Sequence, residues 1–208
     1  MTSSEASAGQ WSVSRTTRTL RAASSRGKSN KIANIYILDL TDPPCLPPLY
    51  LCSLSHPEPL LKDFTDLLLP FLRGDCGATH VAFAGFCFGG YVAYLYSQLP
   101  GALCCAAGAH SSIRIFNMHS SNEREATAKV TCPQMLLQAA NDSPSGKPAS
   151  DVHELLASMP FGDRCVLREF PDVLHGWLPR GDLSQAHVRR DVQEAMRLIV
   201  SFLHNNMM

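Results

Sequence analysis

The sequence predicts an α/β fold in which a mostly parallel sheet carries helices on both faces. Short apolar runs alternate along the chain with segments whose apolar residues recur at helical spacing. The runs are apolar at successive positions, which is typical of parallel strands that are buried on both faces and joined by helices. A chain of 208 residues can bury one sizeable core. We therefore expect a single folded domain over residues 32–208.

Each predicted strand is an apolar run that ends at a turn signal. The first covers residues 35–40 and ends at Asp42-Pro43-Pro44. The other four cover residues 81–84, 103–107, 133–140 and 165–170. Helical patterns predict helices over residues 60–71, 91–97, 123–129, 151–159 and 188–203. The carboxyl ends of such strands carry the chemistry, so we expect functional residues within 39–45, 85–90, 108–112, 141–146 and 171–180.

Charge and composition exclude several classes of protein. Lys+Arg and Asp+Glu both number 18, so the basic excess of a nucleic-acid binder is absent. The hydrophobic fraction of 45% is too high for a wholly disordered chain. No apolar run approaches the roughly 18 residues that a membrane span needs. We therefore expect neither a nucleic-acid partner nor a membrane span.

The eight cysteines argue against a structural metal and for a reducing compartment. None forms a C-x-x-C pair, and none stands near a histidine at zinc-ligand spacing, so no metal site is expected. The even count leaves disulfides open. Several cysteines lie in apolar runs, where a thiol packs as a small core residue: these are Cys104, Cys105, Cys132 and Cys165. A cytoplasmic location follows as the expectation.

Residues 1–31 differ from the rest of the chain. The segment is rich in serine and arginine, and residues 1–38 hold six basic residues against a single acid, Glu5. This composition fits a disordered polar tail, and it also fits an organelle transit peptide. The alternative to the cytoplasm is therefore a mitochondrion or another organelle, reached through residues 1–31.

The strongest chemical signal is Gly85-Phe86-Cys87-Phe88-Gly89-Gly90, which lies between a predicted strand and a predicted helix. A nucleophile on such a sharp turn needs small residues two positions before and after it, and Gly85 and Gly89 meet that need. The N–H of Phe88 and the positive end of the helix would face the same point, favouring an oxyanion and a thiolate. The alternative is a glycine-rich turn with a buried cysteine.

Two later strand ends supply an acid and a base. Asp142 follows the fourth strand and His175 follows the fifth, so the chain order is Cys87, Asp142, His175. That is the α/β-hydrolase order of nucleophile, acid and base, in which His175 would accept the thiol proton and Asp142 would orient the imidazole. Taken singly, a histidine in a loop is more often solvated, and Asn141-Asp142-Ser143-Pro144 is also a good turn sequence.

Two further residues are candidates for binding the substrate. His110 follows the third strand and either lines the pocket or belongs to a turn. Arg180 lies five residues beyond His175, where a guanidinium could bind a substrate carboxylate. A solvated loop arginine is the alternative.

These motifs resemble the dienelactone hydrolases. The resemblance rests on the residues 85–90, on Ala140-Asn141-Asp142 and on His175-Gly176-Trp177 with Arg180, and it spans about residues 32–208. It implies an α/β-hydrolase fold and a cofactor-free carboxylic-ester hydrolase of the carboxymethylenebutenolidase type. It also implies Cys87 as nucleophile, Asp142 as acid, His175 as base and Arg180 as a carboxylate-binding group.

The resemblance weakens at the front of the chain. Members of the family have strands ahead of the one at 35–40, a loop there that gives the second oxyanion donor, and a glutamate that helps to activate the thiol. Residues 1–31 show no strand pattern, so the sheet is expected to lack its first strands. Loss of one oxyanion donor typically costs about 10²–10³ in rate. An open sheet edge would also favour self-association.

The expected function is hydrolysis of a small ester or lactone through a thioester intermediate, with a small molecule as the substrate. Two alternatives stand beside it. The first is a catalytically weak relative that binds a ligand or a partner. The second is a redox-sensing thiol protein, because an exposed thiolate is easily oxidised.

Overall fold

Six strands form one sheet in the order in which they follow one another in the sequence. A computed structural model describes residues 55–207 and, ahead of them, the backbone of strands β1 (Ala22–Ser24) and β2 (Ala33–Leu40). The remaining strands are β3 (His80–Cys87), β4 (Cys105–Ala109), β5 (Gln134–Ala139) and β6 (Val166–Phe170). Strands β2 to β6 are parallel, and β1 pairs antiparallel with β2. The predicted mostly parallel sheet is confirmed.

The helices follow the strands in alternation. They are α1 (Pro57–Asp63), α2 (Leu69–Arg73), α3 (Phe88–Tyr96), α4 (Glu123–Thr127), α5 (Asp151–Ala157), α6 (Trp177–Arg180) and α7 (Ala186–Met207). A π-helical turn, Phe64–Leu68, joins α1 to α2. Three short 3₁₀ helices cover Ile113–Met118, Pro144–Gly146 and Gly162–Arg164. Among the described residues, no helix combines the length and apolarity that crossing a membrane requires.

The core has two layers, one on each face of the sheet. Alternate side chains of β3 enter opposite layers, with Val81 and Phe83 in one and Ala82 and Phe86 in the other. The first layer packs against α1 to α5, and the second packs against α6 and α7. Helices therefore cover both faces, as predicted. The arrangement brings the carboxyl ends of β3 to β6 to one edge of the sheet.

Two local predictions differ from the structure. Strand β4 begins at Cys105 rather than at 103, because Ala102 and Leu103 are buried in the preceding loop and their apolarity imitates a strand. The π-helical turn rotates the apolar face of α1 and α2. Leu72 is consequently buried, whereas Leu67 and Phe71 are 67% and 48% exposed.

A strand within residues 1–31 was not predicted. Strand β1 pairs Ala22 with Tyr36 and Ser24 with Asn34, so part of the edge that was expected to be open carries a partner strand. The rest of residues 1–31, including the targeting-like composition, lies outside the described residues. The boundary at residue 32 stays a prediction.

Candidate active site

Cys87 occupies a sharp turn from strand to helix. Strand β3 ends at Cys87 and α3 begins at Phe88, and the Cys87 backbone has φ 52° and ψ −117°. Non-glycine residues adopt this region only under strain. The Cys87 carbonyl accepts the Ser112 N–H at 3.0 Å. A Cβ on Gly85 would lie 2.0 Å from the Gly89 carbonyl oxygen, which confirms that the turn admits no side chain at position 85.

The structure brings the predicted nucleophile, base and acid together in one hydrogen-bonded line. The Cys87 Sγ lies 3.1 Å from the His175 Nε2. The His175 Nδ1 lies 2.5 Å from the Asp142 Oδ1. The three residues come from the end of β3, the loop after β5 and the loop after β6. The order thiol, imidazole, carboxylate is the arrangement in which a histidine can move a proton to and from a nucleophile.

Hydrogen bonds from backbone N–H groups hold Asp142 and His175 in position. The second carboxylate oxygen of Asp142 accepts the Ala139 N–H at 2.6 Å. The Asn141 Oδ1 accepts the His175 N–H at 2.7 Å, so the loop after β5 holds the loop after β6. Asn141 was named from the sequence in a turn and in the family motif, but a contact with His175 was not predicted. Its contact with His175 depends on two loops that are 34 residues apart and could not be read from spacing.

The surroundings of His175 favour its charged form. Its hydrogen bond to the Asp142 carboxylate, and then its hydrogen bond to Cys87, raise the pKa of His175 to about 9. An imidazolium placed against the Cys87 sulfur stabilises a thiolate. The pair is therefore suited to a nucleophile that is charged before the substrate arrives.

The other described thiols are core or surface groups. All six described cysteines are free. Burial raises the pKa of Cys105, of Cys132 to about 12, and of Cys165. Among these six, Cys87 is the one whose sulfur lies within hydrogen-bonding distance of the His175 ring. Buried neutral thiols are inert, so we expect Cys87 to be more reactive than Cys105, Cys132 and Cys165.

His110 lies beneath His175 rather than on an open surface. It is fully buried with φ 40°, and its ring centroid lies 4.9 Å from that of His175. The aromatic rings of Phe86 and Trp177 are its other ring neighbours. Burial, and then the charge of His175, lower the pKa of His110 to about 4. His110 is therefore a neutral imidazole next to the proposed base.

A cavity of about 130 Å³ opens beside the base and the acid. It is lined by Ser111, Ser112, Arg114, Asn141, Asp142, Ser143 and His175. Arg114 is exposed and forms no hydrogen bond or ion pair with the described residues. Arg114 was missed because it lies on the 3₁₀ helix Ile113–Met118, just past a strand end. A helix this short leaves no periodicity to detect.

Arg180 ends α6 and lies close to the same loops. Its guanidinium packs over Gly176, where a Cβ would be 2.4 Å from the Nη2. Gly176 has φ 90°, a left-handed backbone conformation that favours glycine. The charge of Arg180 contributes to the low pKa of His110, which places the guanidinium near that ring. Of the predicted site residues, Asp142 and His175 line the cavity, whereas Cys87, His110 and Arg180 are not among its lining residues.

Phe88, the predicted oxyanion donor, directly follows Cys87 in the chain. It is the first residue of α3, so its N–H has no partner within the helix. The second donor and the activating glutamate implied by the resemblance would precede residue 55. They lie outside the residues whose side chains are described.

Solved structures share the fold of this chain. A protein of Klebsiella pneumoniae subsp. pneumoniae MGH 78578 assigned to the dienelactone hydrolases matches with a TM-score of 0.53 and 15% identity, over 77% of this chain and 67% of that one. An acylaminoacyl peptidase in complex with Z-Gly-Gly-Phe-chloromethyl ketone matches with a TM-score of 0.53 and 12% identity, over 71% of this chain. The Pyrococcus horikoshii acylaminoacyl peptidase matches with a TM-score of 0.51 and 14% identity, over 74% of this chain.

This chain spans 27% and 29% of the two peptidase chains, so it matches about a quarter of their length. These likenesses confirm the predicted α/β-hydrolase fold. No curated protein sequence matches the chain. The sequence profile of the dienelactone hydrolase family matches residues 53–206, which include every element from α1 to α7. The chain therefore belongs to the dienelactone hydrolase family.

Proposed function

We propose that this protein hydrolyses a small carboxylic ester or lactone through a thioester on Cys87, without a cofactor. The observation that carries the proposal is the line of contacts from the Cys87 Sγ through His175 to Asp142, at 3.1 and 2.5 Å, on a strained strand-to-helix turn. Membership of a hydrolase family supports the reaction class.

The first half of the reaction forms the thioester. The Cys87 thiolate attacks the carbonyl carbon, and the carbonyl π electrons move to oxygen, which the Phe88 N–H stabilises. As the tetrahedral intermediate collapses, the C–O bond breaks and the His175 imidazolium donates its proton to the leaving alkoxide. Asp142 keeps the imidazole in the required tautomer and orientation throughout.

The second half releases the acid. Neutral His175 accepts a proton from water, and the resulting hydroxide attacks the thioester carbon. The C–S bond breaks, the carboxylic acid leaves, and the sulfur returns to its charged pair with His175. In the acyl-enzyme the sulfur carries no charge, so one of the causes that raise the pKa of His175 is absent when the base is needed.

The cavity supports a small substrate of acidic character. A volume of about 130 Å³ lies below the roughly 300–1,000 Å³ of drug-sized sites. Arg114 is one of the residues that line it, and the charge of Arg180 acts on the neighbouring His110. We propose that a substrate carboxylate binds Arg114 in the cavity, with Arg180 as the second cationic group.

Hydrolysis of p-nitrophenyl acetate and of a dienelactone by the wild type and by Cys87→Ala tests the reaction. We expect kcat/KM to fall by about 10³-fold or more in Cys87→Ala. The control Cys76→Ala, which removes a thiol remote from the cavity, should keep wild-type turnover. Equal turnover of Cys87→Ala and wild type would favour a binding protein or an unrelated site.

A second comparison tests the acidic substrate. Arg114→Ala should raise KM for a carboxylate-bearing lactone by about 10-fold or more, as expected for one lost charged hydrogen bond, and leave KM for a neutral ester nearly unchanged. Arg180→Ala is expected to act in the same direction, and Arg124→Ala, on α4, serves as the control. Equal effects on both substrates would make the arginine structural.

A further inference from the structure

His110 is a buried titratable group that the proposed reaction does not use. It is fully buried, and neither of its ring nitrogens has a hydrogen-bond partner on another described residue. Burial of an imidazole without a partner is costly. Its immediate neighbours among the described residues are the rings of His175, Phe86 and Trp177. The ring nitrogens of His110 are therefore available to bind a ligand close to the Cys87 thiol.

Three soft donors meet at this point. One ligand atom each from Cys87, His110 and His175 lies within 4.8 Å of the other two. In a tetrahedral zinc site the Zn–S and Zn–N distances are about 2.3 and 2.0–2.1 Å, which sets neighbouring donors roughly 3.5 Å apart. The Cys87 Sγ and His175 Nε2 stand 3.1 Å apart, so they need to separate only slightly to admit an ion.

We propose that Cys87, His110 and His175 form a binding site for a thiophilic divalent cation such as Zn²⁺, and that the bound cation reversibly inactivates the thiol. Binding exchanges one cation for one proton. The proton shared by the Cys87 sulfur and the His175 imidazole leaves to solvent, the sulfur binds as thiolate, and both imidazoles bind as neutral donors.

The chemistry of the donor set favours zinc and similar ions over magnesium or calcium. A thiolate and two imidazoles are the ligands that Zn²⁺ and Co²⁺ take, whereas hard cations take oxygen ligands. Three protein ligands leave a fourth coordination position for water. The metal site was not predicted, because its three ligands are separated in the sequence by 23 and 65 residues and meet only at strand ends.

The inhibitory consequence rests on the proposed function, whereas the binding itself does not. A cation on the Cys87 sulfur withdraws the electron pair that would attack the carbonyl carbon. It also occupies the His175 nitrogen that would carry the proton. Removal of the cation by a chelator should restore the hydrogen-bonded pair and the activity together.

Cobalt binding provides the direct test. The full chain, freed of metal with a chelator, is titrated with Co²⁺, whose thiolate complexes absorb in the near ultraviolet by charge transfer. We expect this band in the wild type and its disappearance when Zn²⁺ displaces Co²⁺. Cys87→Ser should abolish the band. His110→Phe, which keeps an aromatic ring among Phe86 and Trp177, should weaken binding by more than about 100-fold, because losing even a second-shell partner of a metal ligand costs 10–100-fold.

Controls separate this proposal from the proposed function. His187→Ala removes an exposed imidazole on α7 and should leave Co²⁺ binding unchanged. Circular dichroism of His110→Phe establishes that it is folded. Absence of the charge-transfer band in the wild type, or an unchanged band in folded His110→Phe, would overturn the metal site. Ester hydrolysis by the metal-free wild type is measured separately, so a hydrolase without the band refutes only this inference. A band without hydrolysis refutes only the proposed function.

Discussion

Cys87 combines a strained backbone with a charged neighbour. Its φ of 52° directs the side chain out of the sheet, toward the His175 Nε2. The other described thiols lack such a neighbour, and burial raises the pKa of Cys105 and Cys132. The reactivity of a thiol follows the fraction present as thiolate. The contrast between Cys87 and the remaining thiols is therefore measurable by alkylation.

Brief treatment of the folded protein with iodoacetamide should label Cys87 first. Peptide mass mapping gives the order, and Cys105 and Cys132 should be labelled last because they are buried and protonated. His175→Asn should slow the labelling of Cys87, since it removes the imidazolium. Labelling of Cys45 or Cys76 at the same rate as Cys87 would contradict this assignment.

The pKa of His175 near 9 sets a pH dependence for acylation. Because this pKa is raised, the imidazolium is populated below about pH 9 and is lost as the pH rises through that value. Acylation by an alkyl ester needs the imidazolium as proton donor, so its single-turnover rate should fall above about pH 9. Alkylation by iodoacetamide needs only the thiolate and should not fall. An acylation rate that rises through pH 9 would mean that His175 starts as a neutral base.

At the scale of elements, close backbone approach decides where glycine is required. Ser111 sits between α3 and β4, and a Cβ on Gly90 or Gly108 would lie 2.4 or 2.0 Å from its Oγ. The Ser111 N–H donates to the Gln138 side chain at 3.0 Å. Helix α3 therefore approaches the sheet closely, and at Gly85 an added Cβ would meet backbone atoms of α3 rather than a side chain.

Gly85→Ala should lower the free energy of unfolding by about 3 kcal/mol or more, because its Cβ would meet backbone atoms that cannot move aside. The control is Gly101→Ala. Gly101 has φ 68° and open space around its Cβ position, so only the left-handed backbone cost of about 1–2 kcal/mol applies. Urea denaturation measures both. Equal losses would show that the turn relaxes around an alanine.

The sequence predicted the strands that position Cys87, Asp142 and His175, but it did not predict the short helix and the loop contact around them. The positions of Cys87, Asp142 and His175 at three strand ends followed from apolar runs and turn residues. The 3₁₀ helix that carries Arg114 is too short for a periodic signal, and the contact of Asn141 with His175 is tertiary. The π-helical turn Phe64–Leu68 changes which face of α1 and α2 is buried. It depends on a change in backbone hydrogen bonding, which the amino-acid composition does not reveal.

At the scale of the whole molecule, the sheet has unequal ends. Strand β2 is a long parallel strand whose outer side carries the three-residue β1, whereas β6 ends the sheet on the far side. An unpaired strand edge is a template for another chain. We therefore expect β1 to limit association of copies of this protein by covering part of the outer edge of β2.

Deletion of residues 1–25 removes β1 and should increase self-association. The control deletes residues 1–20, which keeps β1 and removes two of the three basic residues that the longer deletion removes. Light scattering at matched concentrations compares the two. A larger mean mass for the longer deletion is expected, because the backbone groups of β2 lose their partner strand. Equal masses would show that β1 does not protect the edge.

Trapping the acyl group tests directly whether the reaction passes through a thioester on Cys87. The wild type is mixed with p-nitrophenyl acetate, quenched with acid during the first turnover, and digested for mass spectrometry. We predict an acetyl group on the peptide that contains Cys87, removable by hydroxylamine, whose rates of formation and loss account for the steady-state turnover. Turnover without this adduct, or with the acetyl group on another residue, would contradict a thioester mechanism at Cys87.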